Sequence, residues 1–225
     1  MTPKQCGLDP VWSFSSLPGI RETANQSAFG AWSLDSLPPI PNHLFDGTFD
    51  WLTNAPVYIG TTEDAESFAE SIGKLNALKD RTTALGLKLP SDFMRFMTAP
   101  LLATKIERSA LFFVHSERIV RNPRGAGFFV QFMEECQGCE YWNLYLHPEH
   151  GHCVVTSTQN FGDLLSVDLE IKDQSQHICE FSAPCFESFI YRLWIESSVC
   201  CKLHNDDSAL TPTEREYLAH YARDA

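Results

Sequence analysis

Between residues 110 and 157 the chain holds four runs rich in aromatic and β-branched residues, at 110–115, 127–133, 140–146 and 152–157. The segments Arg121-Asn122-Pro123-Arg124-Gly125 and His147-Pro148-Glu149-His150-Gly151 that separate them carry turn chemistry. Strands that succeed one another without an intervening helix pair antiparallel, and the second turn is short enough to close a hairpin. The run 140–146 is apolar at odd and even positions alike, so neither sheet face is marked as wet and something should cover each.

Helical patterns flank this block on both sides. Ala65, Phe68, Ala69, Ile72 and Leu75 fall at helical spacing, and Thr61 with Asp64 has the arrangement of a capping box, which predicts a helix from near Glu63 to about Leu85 with Gly73 as its weak point. Pro90 ahead of Phe93, Phe96 and Met97 predicts a short second helix. After a polar stretch at 159–176, with a weak strand candidate at 165–171, an amphipathic helix is expected from Pro184 to Cys200. Phe186, Phe189, Ile190, Leu193 and Trp194 lie on its apolar face, with Glu187 and Arg192 off it. Thr211, Pro212 and Glu214 mark the start of a last helix whose apolar stripe is Tyr217, Leu218 and Tyr221. Helix pairs around consecutive strands, without βα alternation, define an α+β fold with a central, mostly antiparallel sheet.

Residues 1–60 read differently from residues 61–225. They hold seven of the thirteen prolines and no sustained periodicity, yet also Trp12, Phe14, Phe29, Trp32, Phe45, Phe49, Trp51 and Tyr58, more aromatics than a disordered linker carries. An extended arm pressed onto the main domain or onto a partner is expected. Within it Trp12-Ser13-Phe14-Ser15-Ser16-Leu17-Pro18-Gly19-Ile20 recurs as Trp32-Ser33-Leu34-Asp35-Ser36-Leu37-Pro38-Pro39-Ile40, with a period of 20 residues. Two copies are too few for a solenoid. Either both dock their Trp and Leu into the core, or the arm presents a linear motif to a partner.

The net charge of −12 is unevenly placed. Residues 61–130 hold eight acidic and ten basic side chains, whereas 131–191 hold ten acidic and one basic, Lys172. A negative field repels nucleic acid and anionic membrane and speeds encounter with a basic protein, although acidic surface also serves solubility alone. Residues 1–8 contain no signal-like apolar run, and no stretch approaches about 20 apolar residues, the length of a membrane span. A cytoplasmic location is expected, with the eight cysteines as thiols, most of them buried.

Several segments taken together resemble the SUKH superfamily, the group of Syd-like and fungal cell-wall-regulator-like domains. They are Leu89-Pro90-x-x-Phe93-x-x-Phe96, the run from Phe132 through Glu134-Glu135-Cys136-Gln137-Gly138-Cys139-Glu140-Tyr141-Trp142 to Leu146, the run from Phe186 to Glu196, and Leu210-Thr211-Pro212 followed by Tyr217-Leu218-Ala219-His220-Tyr221. The resemblance spans residues 63–222 and leaves out the arm. It implies a small α+β domain used for protein binding, often as a bacterial immunity protein against a toxin such as a nuclease, and otherwise as an adaptor. It supplies no catalytic residues. Two departures, Glu135-Cys136-Gln137-Gly138-Cys139 before the Trp142 strand and Thr98-Ala99-Pro100 after the second helix, prevent transfer of a particular partner.

Cys136-x-x-Cys139 precedes His147, His150, His152 and Cys153 by a few residues, and thiolate with imidazole is the ligand set of zinc. A full strand, however, separates the thiols from the histidines. A Cys–His nucleophile has no local signature, and the phosphate-loop, nucleophile-elbow and His-Glu-x-x-His motifs are missing. The expectation is therefore a non-enzymatic protein without cofactor or metal. It would bind a basic toxin or nuclease through Glu134, Glu135, Glu140, Tyr141, Tyr145 and Glu149 on the exposed sheet region, an adaptor role through the arm or a zinc protein being the alternatives. Tyr141 and Tyr145 have a competing placement, on a core face opposite Trp142, Leu144 and Leu146.

Overall fold

The computed structural model describes residues 1–14, 17–21, 30–58, 65–107, 110–123, 125–161, 179–205 and 210–221. It is an α+β fold around a six-stranded sheet. The strands are β3 (Leu111–Phe113), β4 (Val120–Arg121), β5 (Phe128–Glu135), β6 (Tyr141–His147), β7 (Gly151–Ser157) and β8 (Glu180–Ala183), in the order β3-β5-β6-β7-β8 with β4 beside β5. Every neighbouring pair is antiparallel. The β6–β7 turn is the expected hairpin, closed where His147 pairs with Gly151. β4 and β8 have two and four residues, too few to leave a periodic signal in the sequence. The weak strand candidate at 165–171 lies outside the described residues.

The helices are α1 (Pro3–Cys6), α2 (Ala65–Ala84), α3 (Ser91–Met97), α4 (Pro100–Ala103), α5 (Phe186–His204) and α6 (Pro212–Ala219). The capping box at Thr61 and Asp64 lies outside the described residues, and α2 runs through Gly73 unbroken. At α6 the Thr211 hydroxyl accepts from Glu214 N, and the Glu214 carboxylate accepts from Thr211 N. The box read in the sequence is thus made reciprocally.

Both faces of β6 are covered. Trp142, Leu144 and Leu146 point toward α3 and α5 and join one large core with Phe93, Phe96, Phe132, Phe186 and Phe189. The opposite face buries Phe129, Tyr145, Cys153, Val155, Phe161 and Phe181, and Met1, Cys6 and Leu8 pack over them.

The arm is part of this architecture. Trp12, Phe14, Leu37, Phe49 and Leu52 all belong to the large core. β1 (Val11–Phe14) and β2 (Gly30–Ser33) form an antiparallel pair in which Trp12 lies directly opposite Trp32. These are equivalent positions of the duplication, so the two copies pair with each other about a local two-fold. The pair is anchored at the β8 edge, where Phe181 N donates to Asp9 O at 2.8 Å and the Ser182 hydroxyl donates to Val11 O.

One expectation for α5 is corrected. Helical spacing places Glu187 and Arg192 off the apolar face, yet both are buried, and so is Glu196. The arm wraps the side of α5 turned away from the sheet and uses those groups as anchors. Glu196 accepts from Trp12 Nε1 (2.7 Å), from both Arg21 terminal nitrogens (3.0 and 2.6 Å) and from the Tyr217 hydroxyl (2.6 Å). Glu187 accepts from Gly47 N, Phe49 N and Trp51 Nε1. Arg192 donates to the Tyr217 hydroxyl and to Pro38 O. A carboxylate can be buried when its lone pairs are filled this way, whereas an unpaired one would be expelled or protonated.

Candidate functional site

Short β3 is an edge strand, paired only with β5 among the described residues. Its alternation sends Phe113 inward, against Phe96 at 5.1 Å between ring centroids, and leaves Phe112 on the opposite face with 49% of its surface exposed. The register carries that row across three strands, from Phe112 to Glu134 on β5 and Tyr141 on β6. Glu134 and Tyr141 are half-buried, and Gln131 Nε2 donates to the Glu134 carboxylate at 2.8 Å. The turn after β5 closes this corner: a Cβ on Gly138 would stand 3.0 Å from the Tyr141 hydroxyl oxygen. An exposed ring beside a held carboxylate and an amphipathic ring can seat an apolar anchor and a cation from a partner.

Only part of the expected site lies here. Glu134 and Tyr141 are cross-strand partners. Glu149 is exposed, but at the tip of the β6–β7 hairpin, a whole seven-residue strand from Tyr141, or about 20 Å. The expected exposure of Glu135, Glu140 and Tyr145 is corrected, since they retain only 6%, 8% and 6% of their surface. Glu135 folds back to accept from Gln137 N (2.8 Å) and Cys139 N (3.4 Å), organising its own turn. Glu140 accepts from the Thr156 hydroxyl, and its burial pushes the carboxyl above the usual range. The Tyr145 hydroxyl donates to Ala126 O, and burial raises it as well. Their types suggested a surface, whereas their partners are inside the fold. Phe112 was not singled out in the sequence, although the Phe112-Phe113 pair in a short strand already forces one ring outward.

The concentration of charge at 131–191 also divides. Of its ten carboxylates, Glu135, Glu140 and Glu187 are buried, Glu134 and Glu180 half-buried and Glu149 exposed. Asp163, Asp168, Glu170 and Asp173 lie outside the described residues.

The zinc candidates sit in separate places. Cys136 and Cys139 are exposed in the β5–β6 turn, while His147 and His150 stack on each other at 4.4 Å in the β6–β7 turn. Cys153 is buried on the second core. Glu135 accepts the Cys136 thiol hydrogen at 3.0 Å, which pushes that thiol up, away from the thiolate a metal needs. No group of three or more His, Cys, Asp or Glu among the described residues is placed to hold a metal ion. Nor is any helix among them long and apolar enough to cross a membrane.

No family model, curated protein or solved structure matches the chain.

Proposed function

We propose that this chain is a protein-binding domain of the SUKH kind, an immunity-like protein that masks a basic toxin such as a nuclease, and that it does so through the corner formed by Phe112, Glu134 and Tyr141. The observation that carries the reading is Phe112, a large ring half out of the fold on an edge strand, with a carboxylate directly across the ladder. Burying such a ring supplies affinity, and the carboxylate selects for a cation at its rim. A net charge of −12 speeds the approach of a basic partner and disfavours nucleic acid itself. Inhibition by occlusion needs no chemistry from this chain. The arm supports the reading indirectly, because Trp12, Leu17 and Leu37 of the duplicated motif are buried and cannot be offered to a partner without unfolding.

The test is retention of a partner from native lysate on the immobilised chain, followed by titration with the purified partner. The expected partner is basic, its affinity falls steeply with added salt, and Phe112→Ser and Glu134→Lys each weaken binding about tenfold or more, near 1.4 kcal/mol. Glu149→Lys, at the far end of the strand, should change affinity little. An acidic partner, or binding indifferent to both Phe112→Ser and Glu134→Lys, would overturn the proposal.

A further inference from the structure

The second core holds a pair of thiols from distant parts of the chain that the protein-binding reading does not use. Cys6 ends α1 and Cys153 lies in the middle of β7, and their sulfurs are 3.5 Å apart. The approach is built. α1 is fixed at its start by a reciprocal Thr2–Gln5 cap, with Thr2 N donating to Gln5 Oε1 at 2.8 Å, and is ended by Gly7 in the left-handed region at φ 66°. Met1, Cys6 and Leu8 then pack onto the sheet face that buries Cys153. The two thiols differ in access, since Cys6 is half-buried at the surface while Cys153 has no exposure.

We propose that Cys6 and Cys153 form a hydroperoxide-sensitive site at which Cys6 is the peroxide-attacking thiol and Cys153 the resolving one, and that oxidation ties α1 covalently to β7. The Cys6 thiolate attacks one peroxide oxygen and the O–O bond breaks. The departing oxygen takes up a proton to leave as water or alcohol, and Cys6 becomes a sulfenic acid. Sulfur of Cys153 then attacks sulfur of Cys6, expelling hydroxide, which takes the Cys153 proton and leaves as water. Two thiols are oxidised by two electrons, one hydroperoxide is reduced, and a thiol reductant reverses the result. Access selects Cys6 for the first step. The hydrogen bond from Cys153 favours its thiolate and lowers its pKa, whereas the same contact and burial raise that of Cys153. The bond would close a loop through most of the chain, so the oxidised protein should be the more stable form.

The experiment exposes the full chain to hydrogen peroxide and maps thiols by non-reducing peptide mass spectrometry, with melting followed before and after dithiothreitol. The expected result is a Cys6–Cys153 crosslink, a Tm higher by about 5–10 °C, and loss of both on reduction. Cys6→Ser should melt like the reduced wild type and show no peroxide-induced rise. Cys153→Ala should leave Cys6 as a sulfenic acid that dimedone traps. Crosslinking through Cys179 or within Cys136–Cys139 while the Cys6–Cys153 link is missing would overturn the proposal. So would over-oxidation of Cys6 with Cys153 still a free thiol.

Discussion

Glu140 and Glu214 are both buried carboxylates, and their surroundings drive them in opposite directions. For Glu140 burial dominates, and the hydroxyls of Thr156 and Ser13 offset it only in part, so its carboxyl titrates above the ordinary value near 4.5. The folded protein then holds a proton that the unfolded chain has released. Stability is lost as pH rises through that window and the penalty is complete above it. For Glu214 burial also acts upward, but the Lys202 ammonium at 2.8 Å, Ser198 and Thr211 outweigh it and the carboxyl falls below its usual range. Its contribution is present above about 4.5 and is lost as pH falls through the folded value. Glu140→Gln should therefore raise Tm at pH 7, with the gain fading toward pH 4, while Glu214→Gln should lower Tm at pH 7, with that loss fading on acidification. Melting curves of both variants from pH 4 to pH 7 check the two signs, and a Glu140→Gln protein less stable than wild type at neutral pH would contradict this account. Of these partners only Thr211 was legible in the sequence, as the other half of the Glu214 capping box. A carboxylate's type suggests a surface, and only the fold reveals that Thr156 lies beside Glu140 and that Lys202 reaches Glu214.

At the scale of elements, the duplication makes a closed pair whose halves are unequal. Trp12 is fully buried, 5.4 Å from Phe189 between ring centroids, and donates to Glu196. Trp32, opposite it, stays half-buried with the Arg21 guanidinium 4.7 Å above its ring. Equal sequence thus meets different surroundings, because Trp12 packs on Phe189 of α5 whereas Trp32 packs under the Arg21 guanidinium. Trp12→Ala should cost about 3–5 kcal/mol, whereas Trp32→Ala should cost less, about 2 kcal/mol, the scale of a cation–π contact to a desolvated guanidinium. Chemical denaturation measures both, and equal losses would show the two copies to be equivalent. Elements with a strong local signal were readable in advance: β5, β6 and β7 from their aromatic and β-branched runs, and α6 from Thr211, Pro212 and Glu214. β1 and β2 were not, because a four-residue strand has no period to detect and their pairing is a contact between copies 20 residues apart.

Across the whole molecule, α5 is a central helix enclosed between the sheet and the arm. The sequence showed its sheet-facing stripe, and hid its other side because Glu187, Arg192 and Glu196 are charged and their partners come from Trp12, Arg21, Pro38, Phe49 and Trp51. The expected candidate site was legible only where strand register and exposure agree, at Glu134 and Tyr141. Phe112 completes it because the β3 edge has no further strand over it among the described residues. If the arm is core, the duplicated motif is consumed by folding and partner contact falls to the sheet corner. A presented arm would instead offer the duplicated motif to a partner. Comparing residues 51–225 with the full chain in thermal melting and partner titration separates the two. The shortened chain should lose cooperative melting, because Phe189 no longer packs beneath Trp12. A shortened chain that melts as the full one does and has lost only its binding partner would contradict this account.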